Sequence, residues 1–92
     1  MGDPAFISLL ENALEARTSL FDARRDAAFR LFNGFYEGEP GLVVDLYAST
    51  LVLHNYADDP MQSKEVVMQA AQYLQGQLPW LRAGILKTRN AE

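Results

Sequence analysis

Arg30-Leu-Phe-Asn-Gly-Phe-Tyr-Glu-Gly-Glu-Pro-Gly-Leu-Val-Val-Asp-Leu-Tyr47 places two apolar segments on either side of a turn rich in glycine and proline. Glycine reaches positive φ without a side-chain clash and proline presets the φ of a turn, so Gly38, Pro40 and Gly41 allow a tight reversal with little strain. The segments Ala28–Asn33 and Leu42–Tyr47, rich in Val, Leu, Phe and Tyr, then read as the two strands of a hairpin, with residues 35–41 as the turn region. Ala48-Ser49-Thr50 predicts a second short reversal. It leads into a third strand over residues 51–56, where Leu51, Leu53 and Asn55 alternate with Val52, His54 and Tyr56.

Working outward from this antiparallel meander, Asp3-Pro4 supplies a capping residue and a first-turn proline for a helix. Phe6, Leu9, Leu10, Ala13, Leu14, Arg17 and Leu20 follow at three- and four-residue spacing. Such an apolar stripe must be covered, by this domain's own sheet or by another one. Between it and the meander, Asp22, Arg24, Arg25 and Asp26 mark a charged connection. Downstream, Asp59-Pro60 with Gln62, or Ser63 a turn later, caps a second helix with the stripe Val66, Val67, Ala70, Ala71 and Leu74. Gly76 is the expected terminator, and Pro79 prevents continuation. Residues 83–87 read as a short buried strand running into Thr88-Arg89-Asn90, and Trp80 as the anchor of the link before it. The fold class is therefore α+β: an N-terminal helix, then an antiparallel sheet with one covering helix, in the order β-β-β-α-β. Residues 1–27 form the helix and connection, and residues 28–92 a small α+β domain.

The 92 residues suffice for one small domain, and 49% hydrophobic with 22% charged residues is a globular composition rather than a disordered one. The absence of cysteine excludes disulfide scaffolds, thiolate metal sites and a cysteine nucleophile within the chain. No basic segment followed by a long apolar run opens it and no apolar stretch approaches about 20 residues, so no membrane role and a cytoplasmic address are expected. The net charge of −4 argues against gripping a phosphate backbone over the whole surface, but leaves room for a local basic patch.

Candidate chemistry is sparse. Asp45, on an apolar strand, reads as a carboxylate that caps a turn or pairs with an arginine. His54 has no second histidine or acidic partner at ligand spacing, and no Gly-x-Ser-x-Gly turn supplies a nucleophile, so neither a metal site nor a triad is expected. No dinucleotide-type glycine loop is present, and no catalytic, cofactor-binding or metal-ligating residue is assigned. Arg24, Arg25 and Arg30, interleaved with Phe29, Phe32, Phe35 and Tyr36, have the residue types that present guanidinium and aromatic planes to RNA. Lys87 and Arg89 form a second basic patch. Against this stands the plainer reading, in which strand aromatics are core and arginines pair with Asp22 and Asp26.

Arg30-Leu-Phe-Asn-Gly34 followed by Gly38-Glu-Pro-Gly-Leu-Val-Val-Asp-Leu-Tyr47 resembles a stretch of S-adenosylmethionine-dependent ribosomal RNA methyltransferases, the cytosine-5 branch above all. Ala13 and Arg17 upstream and Gly84-Ile-Leu-Lys-Thr-Arg89 downstream also resemble flanking segments of that family. The resemblance implies a small central domain, hairpin-helix-hairpin in arrangement, preceding a Rossmann-like catalytic domain and often following an RNA-binding one. It implies S-adenosylmethionine as the cofactor of a parent protein, ribosomal RNA as its partner and a catalytic domain downstream of this chain. The family's glycine loop and nucleophilic cysteine have no counterpart here. Leu46 stands where the family commonly has arginine, and Phe35 where it commonly has an acidic residue. The expected role is thus an accessory domain, non-catalytic alone. The alternative is a stand-alone protein-interaction module, and apolar surface left uncovered would favour a homodimer.

Overall fold

The computed structural model describes residues 4–22, 24, 27–57 and 63–89. Helix α1 (Pro4–Ala16) is followed by a 3-10 turn (Thr18–Leu20), strand β1 (Ala28–Asn33), the single-turn helix α2 (Gly34–Glu37), strands β2 (Leu42–Tyr47) and β3 (Thr50–Asn55), helix α3 (Lys64–Gln77) and strand β4 (Ala83–Thr88). The sheet order is β1-β2-β3-β4. The first three strands form the expected antiparallel meander. β4, in contrast, pairs parallel with β3, because α3 carries the chain back along the sheet before it re-enters.

Strand alternation separates the two faces of the sheet. Val44 and Leu46 of β2 and Leu51 and Leu53 of β3 face the helices and form one buried cluster with Phe6, Leu10 and Ala13 of α1 and Val67, Ala70 and Leu74 of α3. The α1 stripe thus finds its cover on this chain's own sheet, where Phe6 meets Phe32 edge-to-face at 6.5 Å. Tyr73 of α3 lies close enough to Glu11 of α1 that burial, helped by that charge, pushes its phenol up. A register shift between Arg30 and Phe32 inserts Leu31 as a β-bulge. Leu31 and Phe32 both reach the core through it, and Arg30 is left on the opposite face.

Several boundaries differ from the sequence expectation. α1 ends at Ala16, short of Leu20, because the Thr18 hydroxyl donates to the carbonyls of Leu14 and Glu15 and Arg17 Nη1 donates to that of Ala13. Leu20 is exposed as a result. The turn region begins with α2, closed by Gly38 at φ 111°, whose N–H donates to the Gly34 carbonyl at 3.1 Å. β3 lies one residue earlier than expected, leaving Tyr56 beyond its end. α3 runs through Gly76 to Gln77, and buried Leu78, with Pro79 behind it, ends the helix instead. Ser63 holds the capping position, but its hydroxyl donates to Asn55 Oδ1 at 3.0 Å. The Asp59-Pro60-Gln62 cap and Asp3 lie outside the described residues. Residues 83–87 are a strand, extended to Thr88, but an exposed one. Trp80 packs edge-to-face on Phe21 at 6.2 Å, anchoring the link into β4.

Candidate nucleic-acid interface

The face of the sheet turned away from the helices carries, by register, three rows of side chains. The first is Ala28, Tyr47, Thr50 and Ala83; the second Arg30, Asp45, Val52 and Ile85; the third Asn33, Val43, His54 and Lys87, with Arg89 just beyond β4. A relay crosses this face from edge to edge. Arg30 Nε donates to Asp45 Oδ1 at 2.8 Å and Arg30 Nη2 to Oδ2 at 3.1 Å, a bidentate fork on a buried carboxylate. His54 Nε2 lies 3.0 Å from the same Oδ2, and Arg89 Nε donates to His54 Nδ1 at 3.1 Å. A guanidinium can only donate, so Nδ1 accepts and the ring proton resides on Nε2, pointing at Asp45. Tyr56 stacks on the His54 ring, 6.0 Å between centroids, and meets Phe35 of α2 edge-to-face.

The electrostatics follow from this arrangement. Burial pushes the Asp45 carboxyl up, but the Arg30 hydrogen bonds and charge, joined by His54, outweigh it and hold the group below the usual carboxylate range. The same hydrogen bonds, with the Asp45 charge, hold Arg30 above its ordinary value against the opposing effect of burial. Among the described residues, this face sets Arg30, Lys87 and Arg89 against the single carboxylate of Asp45. Helices α1 and α3 carry Glu11, Glu15 and Glu65 against Lys64 alone. A chain of net charge −4 therefore presents one cationic face.

Of the expected site residues, the structure brings Arg30, Lys87 and Arg89 onto this one face. Arg24 is exposed in the connection before β1, and Arg25 lies outside the described residues. Phe32 is core and Phe29 packs against it, whereas Phe35 and Tyr36 are exposed. Asp45 pairs with an arginine, as one reading of it held. His54, expected to lack an acidic partner, has one in Asp45, nine positions away in sequence and diagonal to it across the β2–β3 ladder. Tyr47, on a strand whose composition reads as apolar, is a surface group, 53% exposed. Its place at the end of β2, directly before the short Ala48-Ser49 reversal, is the signal in the sequence. Beside it, Ala28, Phe29, Arg30, Asp45 and Tyr47 line an open concavity of ≈ 380 Å³.

No family model matches the chain. Over 65 residues, 71% of its length, it is 37% identical to a Bacillus subtilis (strain 168) protein named "Putative ribosomal RNA large subunit methyltransferase YwbD". The chain spans 16% of that relative's length. Its fold matches a crystal structure of SMU.776, "a putative methyltransferase complexed with SAH", with TM-score 0.73, 21% identity and coverage of 92% of this chain and 22% of that one. It likewise matches "a putative sam-dependent methyltransferase" from Streptococcus mutans, with TM-score 0.74 and the same identity and coverage. The chain is thus similar to methyltransferases in sequence and in fold. No described helix is long and apolar enough to cross a membrane.

Proposed function

We propose that this chain is an accessory, substrate-side domain of an S-adenosylmethionine-dependent methyltransferase acting on ribosomal RNA, cytoplasmic and non-catalytic by itself. The similarity over 65 residues to the Bacillus subtilis protein carries the reading. The cationic sheet face supports it, because a domain that orients RNA for a neighbouring active site needs local positive charge even when its net charge is negative. Arg30, Lys87 and Arg89, with Arg24 and Arg25 on the approach to β1, are the contacts, and the modified base is a cytosine. The residues here do not fit the cofactor itself. The described βαβ unit joins β3 to α3 through residues 56–63, which contain no glycine to let a ligand approach the backbone, and Gly38 and Gly41 turn between antiparallel strands. In the parent, the catalytic domain lies downstream and covers β4; in the isolated chain a second copy does so.

The test is the coding sequence adjoining this stretch, followed by methyl transfer from labelled S-adenosylmethionine to large-subunit ribosomal RNA by the parent protein. A glycine-rich strand-turn-helix next to this domain is expected, and charge reversal at Lys87 and Arg89 raises KM for RNA while leaving cofactor affinity unchanged. A parent with no such motif, or charge reversals that change neither constant, overturns the reading. An interaction module would instead show a protein partner bound at the same face.

A further inference from the structure

We propose that the outer sheet face is a site for single-stranded RNA, with one unpaired base stacked on Tyr47 in the concavity beside Arg30 and the backbone running toward Lys87 and Arg89. The inference rests on the RNA reading above and deepens it. Tyr47 stands in a row of small side chains, Ala28 and Thr50 on either side and Ala83 beyond. Neighbours that short leave the ring's faces open, and Tyr47 is 53% exposed. Tyr36 is more exposed still but is not among the residues that line this concavity. Arg30, in the next row, lines the same concavity as Tyr47.

The occupant follows from the chemistry. An open aromatic ring beside cations fits a polymer that alternates π-faces with negative charges, and single-stranded RNA offers both, whereas a duplex hides its base faces. From the Tyr47 row to the His54 and Lys87 row is four residues along β3, about 13 Å at the strand rise. That separates the stacking ring from the far cations by more than a single contact spans. The relay through Asp45 and His54 holds the guanidiniums of Arg30 and Arg89 in place before any ligand arrives, so less side-chain entropy is lost on binding.

The 92-residue chain is titrated with a short single-stranded oligoribonucleotide carrying a 2-aminopurine, and with the same strand in duplex, over a range of salt concentrations. Binding of the single strand with quenching of the 2-aminopurine is expected. Tyr47→Ala lowers affinity roughly 5- to 100-fold with little change in salt dependence, and Tyr47→Phe restores it. Lys87→Ala leaves the quenching in place and reduces the slope of log K against log salt by about 0.7. Circular dichroism establishes that each variant is folded, which exposed Tyr47 and Lys87 permit. Salt-dependent binding that ignores Tyr47, or a preference for the duplex, overturns the stacking site while leaving RNA contact intact. No binding of either RNA at low salt overturns the contact reading as well, without touching the methyltransferase test.

Discussion

Ala48 adopts φ 56° in the two-residue reversal between β2 and β3, a conformation costing an L-residue roughly 1–2 kcal/mol. Ala48→Gly removes that strain but gives the unfolded chain more freedom, so a net gain of about 0.5–1 kcal/mol is expected. A thermal melt checks it as a rise of several degrees in Tm, reasonable for a domain of this size. Asp45 predicts the opposite sign. Asp45→Asn strips the charge that Arg30 and His54 share, and a loss of about 2–4 kcal/mol is expected in urea unfolding. The pH dependence carries the same signature. Asp45 and Glu37 are both held below the ordinary carboxylate range, Glu37 because Arg17 and the Asn33 N–H outweigh its burial. Their contribution is fully present above the unfolded carboxylate values, about 4, and is lost as pH falls through the lowered folded values. Wild-type stability should therefore hold above about pH 5 and decline below pH 4, and Asp45→Asn should flatten that decline.

Between elements, Arg17 is the joint. Just beyond α1, it donates through Nη1 and Nη2 to Glu37 of α2 at 3.0 and 2.7 Å and through Nε to the Arg30 carbonyl at 2.8 Å. Glu37 in turn accepts from the Asn33 N–H at 2.8 Å. Arg17→Ala should lower stability by about 1–3 kcal/mol in urea unfolding, and Arg17→Lys should recover little, because an ammonium cannot reproduce the planar fork. Sequence periodicity placed Arg17 on the helix stripe without giving it this partner, since a contact twenty residues away leaves no local trace. The same distinction separates what could be read from what could not. β1 and β2 carried Val, Leu, Phe and Tyr between glycine and proline turns, and their bounds follow from the chain alone. α1 and α3 declared their buried faces. The end of α1 is decided by side chains competing for carbonyls, that of α3 by the burial of Leu78, and the parallel pairing of β4 by a crossover that no short window contains. The candidate face was half legible: Arg30, Lys87 and Arg89 as residue types, but not their convergence through Asp45 and His54, which depends on strand register.

At the scale of the whole molecule, the two faces differ in charge and the two edges in cover. β4 is exposed throughout, and it leaves Ile85 and Leu86, 45% and 50% exposed, beside a strand edge that pairs with no other strand among the described residues. Light scattering should accordingly find the isolated chain monomeric when dilute and dimeric when concentrated, and Leu86→Lys should keep it monomeric. A strictly monomeric wild type at high concentration would remove the second copy from the proposal.

The parallel pairing also dictates an order of events. β1, β2 and β3 meet through neighbouring reversals, as in Tyr47 with Thr50, whereas Thr50 finds Ala83 only after the whole of α3 has been laid down. Closing that longer loop comes late, because its entropy must be lost before any of its contacts form. Arg89 reaches His54 only once β4 has docked. A nascent chain thus carries Arg30 on a formed hairpin well before Lys87 and Arg89 join it, and the surface proposed for RNA is completed by the last step of folding.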